Sequence, residues 1–246
     1  MKALTRLMMA ALCVVAAVAA PARAADQAPK AVQRATDPVT GAEVRVSQGR
    51  NGTLSLELAA PGLTLTKQAK DGVVTTVVRV AKDELKIEAR RDLVIVSGRG
   101  GRVEVPAARP DRLAAAQALI ARSPAVADAV RLLGRMSIGH DSPLGLTLLS
   151  TRALLLAARN DVAGLKVLAG AVAALRERPV LTRVAWQSSP TDCWNKYAIE
   201  AIAAWREYED CTRNSGFWGD LACAALYDMR AVGAFTWWLK CSAISG

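Results

Sequence analysis

Four of the five cysteines fall in the last 54 residues, as two pairs of equal spacing: Cys193 to Cys211 and Cys223 to Cys241 are each 18 residues apart. Eighteen residues make five turns of an α-helix, so the cysteines of each segment share one side of their helix, and neither segment contains proline. Two cysteines of one helix would stand ~27 Å apart, whereas a disulfide needs Cα atoms within ~7 Å. The bridges must therefore run between helices. An antiparallel hairpin pairs Cys211 with Cys223 at its loop and Cys193 with Cys241 at its open end. The crossed pairing, Cys193–Cys223 with Cys211–Cys241, needs parallel helices and a taut loop of 11 residues, so the nested pattern is expected. Asp192 and Asp220 are placed to cap the two helices, and Asn214-Ser215-Gly216 with Phe217-Trp218-Gly219 supplies the turn.

The aromatic residues follow the cysteines. All eleven lie at or beyond Trp186, and residues 1–185 contain none. So sharp a break predicts a separate stapled module over 193–246, because a hairpin this small buries too little to stand without cross-links. Projected at 100° per residue, Trp194, Tyr197, Ala201, Trp205 and Tyr208 form one arc, and Tyr227, Ala231, Ala234, Phe235 and Trp238 form its counterpart. Trp218, in the loop, and Trp237, outside the shared arc, are the candidate binding residues. Glu207, Glu209 and Asp210 crowd what reads as the end of the first helix, where the macrodipole disfavours anions. Arg206 and Arg213 are their expected partners; contact with the basic N-terminal part is the alternative.

Cysteine usage agrees with the N-terminus on compartment. Lys2 and Arg6 precede an uncharged run of 14 residues from Leu7 to Ala20, and Ala22-Arg23-Ala24 suits signal peptidase. The run is short of the ~20 apolar residues a comfortable membrane span needs. Residues 1–24 are expected to be a signal peptide and the protein to be exported, periplasmic or extracellular, where disulfides persist. Cleavage would remove Cys13 and leave four cysteines, an even number. No C-x-x-C pair is present to form a zinc knuckle, and neither a metal nor a cofactor is expected. The net charge of +10 falls to +7 once the three basic residues of the signal are gone. Such a charge permits anionic partners, but no block of five like charges marks a nucleic-acid site.

Residues 25–43 are polar and unpatterned, which predicts a flexible leader. From about Arg45 the period becomes two: Leu54, Leu56 and Leu58 alternate with polar residues, as do Leu63 and Leu65, and Leu85 and Ile87. Asn51-Gly52, Pro61-Gly62, Asp71-Gly72 and the segment Gly98 to Gly101 supply turns. An antiparallel β-meander of six or seven strands is expected within 44–106. Val73–Val80 and Leu93–Val96 read as buried on both faces. Arg90, Arg91, Arg99 and Arg102 bracket the latter strand from both ends, too far apart for one anion site.

Beyond Pro106 and Pro110 the pattern turns helical, and a helical region packing on the meander is expected over 107–178. Helices are predicted near 111–121, 124–135, 143–159 and 162–177, with Ser123, Ser142 and Asp161 as caps, the serines followed by proline. The last two helices are apolar nearly all round, as in a core. A linker over 179–192 would join this region to the hairpin. The fold class is thus α+β: an antiparallel meander, a helical region, then a disulfide-stapled antiparallel helical hairpin.

Chemistry is sparse. The single histidine, His140, is followed directly by Asp141 and Ser142, and adjacent residues do not make a triad. Nucleotide-binding and hydrolase motifs are absent. No enzymatic activity is expected. The leading expectation is a secreted or periplasmic binding protein that presents the aromatic hairpin to a protein or envelope component. In composition alone the cysteine-paired, Trp-rich hairpin is similar to bacteriocin-like peptides. The alternative is therefore a membrane-active effector released from an exported precursor, for which a membrane surface is the partner.

Overall fold

The computed structural model describes residues 30–49, 53–106, 112–137, 143–176, 190–215 and 221–244. Eight strands form one antiparallel sheet whose spatial order is the chain order: β1 (Lys30–Thr36), β2 (Glu43–Gln48), β3 (Leu54–Ala60), β4 (Leu63–Lys70), β5 (Val73–Val80), β6 (Asp83–Ala89), β7 (Leu93–Gly98) and β8 (Gly101–Pro106). The turns follow their residues. Asp71 and Gly72 both take positive φ, 49° and 75°, which is the type I′ geometry that twisted hairpins prefer.

Period two sets which face is covered. Val44, Val46, Leu54, Leu56, Leu58, Leu63, Leu65, Val78, Leu85 and Ile87 are buried, and the intervening residues are polar and more exposed. β7 is buried on both faces at Val94, Ile95 and Val96, as its run of apolar residues predicts. β5 is not. Thr75 and Val77 on its other face are only half-buried. The leader expectation also changes, since residues 30–36 form β1, paired with β2 around a register shift between Ala31 and Gln33. Backbone pairing holds this edge strand, so apolar alternation, the signal used to find the others, is weak in it.

Four helices follow: α1 (Leu113–Ala121), α2 (Pro124–Arg135), α3 (Pro143–Ala158) and α4 (Val162–Arg176). Pro124 opens α2, but Ser123 does not cap it with its own side chain. The carboxylate of Asp83 does so instead, accepting Ser123 Oγ–H at 2.6 Å and the Ala125 N–H at 3.1 Å, which ties α2 to the start of β6. Asn160, at φ 58°, ends α3 in the left-handed region. Asp161 then accepts the Gly164 N–H at 2.9 Å and caps α4. Ser142 lies outside the described residues. α3 is buried along nearly its whole length, whereas α4 buries Leu165, Leu168 and Val172 and leaves Val167 67 % exposed. The alanines and glycines of α4 made it look apolar all round; among the described residues its burial is confined to one side.

The hairpin consists of α5 (Pro190–Ser215) and α6 (Leu221–Ile244). α5 begins inside the expected linker, with Pro190 in its first turn, a position that suits proline. Asp192 is therefore within the helix and not at the residue before it, where the sequence reading placed it. Asp220 and the loop 216–220 lie outside the described residues. The hairpin does not stand apart from the rest. α6 packs on α3 and reaches β5, β6 and β7, and the buried aromatic residues join the strand residues in one apolar core.

Candidate functional site

The Cys211–Cys223 disulfide closes the loop end of the hairpin, with Cα atoms 5.7 Å apart. This excludes the crossed pairing. Cys193 is also disulfide-bonded; the side chain of Cys241, its expected partner, lies outside the described residues, as do those of Trp194, Trp218 and Trp238. His140, Asp141 and Ser142 are outside them too.

Between the helices lies an aromatic core. Trp205 meets Tyr227 edge-on with centroids 5.2 Å apart, and Tyr197 meets Phe235 in the same way at 5.9 Å. Tyr197, Trp205, Tyr208, Tyr227 and Phe235 are all buried. Burial raises the phenol pKa of Tyr197, against the hydrogen bond with Thr147, and raises that of Tyr227 further beside Tyr197, Asp228 and Tyr208. Both stay neutral and serve packing.

Where this core meets the sheet is a polar cluster that the sequence reading missed. Lys67 on β4 and Thr76 on β5 face each other across strands on the covered side, within a row that continues into Leu56 and Ile87. Lys67 Nζ donates to Asp228 Oδ1 on α6 and to Thr151 Oγ1 on α3, each at 2.5 Å. Ser150 Oγ also donates to Asp228 Oδ1, at 2.7 Å. Burial lowers the Lys67 pKa, and the Asp228 carboxylate opposes that shift. A lysine beside serine and threonine hydroxyls has the makings of a nucleophile and base. Here Lys67 is 2 % exposed and Ser150, Thr151 and Asp228 are 0 %, so no substrate reaches them. The cluster locks sheet, α3 and α6 together. Its signal was present in the sequence: Lys67 interrupts the Leu63, Leu65 alternation, and Asp228 interrupts an apolar helical run.

The outer side of the hairpin presents the accessible feature. A groove of about 510 Å³ follows the seam of α5 and α6, lined by Lys196, Glu200, Ala203, Ala204, Glu207, Arg230, Gly233, Ala234 and Trp237. Alanine and glycine at the seam leave its floor low. Trp237 is 36 % exposed, and Lys196 Nζ lies 4.5 Å from the centre of its ring. Arg230 pairs with Glu207 across the seam. A second cavity, of about 250 Å³, shares Ala204, Glu207 and Arg230 as walls and continues to Arg91, Tyr208, Leu226, Tyr227 and the disulfide.

Trp237 is thus where the helical projection put it, outside the shared arc and accessible. The three crowded acids Glu207, Glu209 and Asp210 have local partners. Glu207 meets Arg230, Glu209 accepts the Trp205 indole N–H at 2.8 Å, and Asp210 pairs with Arg213 at 3.0 Å. Of the two expected arginines, Arg213 does pair; the place of Arg206 is taken by Arg230. Because α5 runs on to Ser215, these acids do not sit at its C-terminus. Arg91 and Arg99 serve different surfaces, Arg91 at the hairpin groove and Arg99 in a pocket beside Asp83 and α2.

Among the described residues, no group of three or more His, Cys, Asp or Glu could hold a metal, and no helix is long and apolar enough to cross a membrane. Comparison with family models, with curated proteins and with solved structures finds nothing that matches this chain.

Proposed function

We propose that this is a non-enzymatic binding protein of an oxidising, extracytoplasmic compartment, which holds a protein or envelope component in the groove between α5 and α6. One observation carries this reading: Trp237 alone, among the described aromatic side chains, is left accessible on a wall of that groove, while five others are buried. An accessible indole flanked by charged residues is the composition of an interaction hot spot. The disulfide supports the compartment. The packing of α6 on α3 and the sheet weighs against release of the hairpin as a membrane-active peptide, since its apolar faces are already occupied.

The test uses the oxidised full-length protein to capture partners from a native envelope or medium extract, beside Trp237→Ala. The reading predicts a partner whose affinity falls about tenfold or more in the variant, with an unchanged melting temperature; a ~1.4 kcal/mol loss is modest for a hot-spot tryptophan. Equal capture by both proteins would contradict it.

A further inference from the structure

The groove is long, charged in the middle and different at its two ends. From Lys196 to Cys211 the α5 wall runs 15 residues, or about 22 Å at helical rise. An extended chain of roughly six or seven residues covers that length. Midway stand the Glu207–Arg230 pair, half-exposed on both sides, and Glu200, which has no partner among the described residues. A hydrocarbon chain laid across these charges would strip their water and return nothing. A peptide backbone offers N–H groups to the glutamates and carbonyls to Arg230, so each is satisfied.

The far end has its own chemistry. Arg230 is neutralised by Glu207, but Arg91 has no hydrogen bond or ion pair among the described residues. Arg91 lines the 250 Å³ cavity together with Tyr208, Leu226, Tyr227 and the Cys211–Cys223 bridge. A cation without a described partner, beside an apolar pocket, matches one feature of a peptide, a free terminal carboxylate next to an apolar last side chain. We propose that the groove receives the C-terminal end of an extended peptide, its carboxylate on Arg91, its last side chain in the Tyr208–Leu226–Tyr227 cavity and an upstream residue against Trp237. This rests on the reading that the groove is the binding site.

The experiment uses fluorescent hexapeptide pools, randomised at five positions and ending in phenylalanine, as free acids or as C-terminal amides. Anisotropy is followed with the oxidised full-length protein. The acid pool should bind about tenfold more tightly than the amide pool, the increment of one charge-assisted contact. Arg91→Gln should bring the acid down to the amide level at an unchanged melting temperature. Equal binding of acid and amide, or binding of palmitate with neither pool bound, would overturn the proposal. If neither pool binds while capture from extract still depends on Trp237, the peptide terminus is wrong and the groove reading stands. If capture is also indifferent to Trp237, both fall.

Discussion

At the scale of single residues, two buried carboxylates anchor the fold in opposite ways. Asp228 is held by a buried lysine, so removing one partner strands the other. Lys67→Met should cost about 3–5 kcal/mol in urea unfolding, whereas Lys67→Met with Asp228→Leu should recover most of that loss. Equal losses in the single and double variants would show that packing, not the stranded charge, is at stake. Asp37, at the β1–β2 turn, accepts from Thr40 through one oxygen and from Ser137 after α2 through the other. Burial acts to raise its pKa, but these hydrogen bonds prevail and bring it to about 2. The folded value lies below the unfolded one, so its contribution is present above about pH 4 and lost as the pH falls towards 2. In acid titrations of stability, Asp37→Asn should be less stable at neutral pH and should converge with the wild type near pH 2. Parallel curves would contradict this. Trp237 was legible in the sequence because helical projection isolates it; Lys196, Glu200 and Arg230 were not, because charges on a helix look alike until a second helix makes a seam of them.

At the scale of elements, propensity and punctuation told most of the story. Proline and aspartate located the starts of α2 and α4, and glycine turns separated the strands. What they could not reveal was a cap supplied from another element. Asp83→Ala should cost about 1 kcal/mol through fraying of α2, read as faster amide exchange at its first turn; loss spread evenly over the sheet would argue against a capping role. For the hairpin, opening the Cys211–Cys223 loop of about 13 residues should cost ~3 kcal/mol by chain entropy. Peptide mapping of the unreduced protein should also link Cys193 to Cys241. Four free thiols would overturn the staple altogether.

At the scale of the whole molecule, the composition break is real but is not a boundary. It divides an aliphatic part from an aromatic one, and nothing in composition says whether two such parts touch. Here they share one core, and the Lys67–Asp228 contact crosses between them. The same break supplies the decisive probe. All six tryptophans lie at or beyond Trp186, so their fluorescence reports the C-terminal part alone, while the β-sheet amide I band reports the strands. Unfolding of the oxidised protein in urea, followed by both signals, should give coincident single transitions. Loss of the sheet band at a lower denaturant concentration than the tryptophan signal, or the reverse, would show two independent units and contradict the single core on which the account depends.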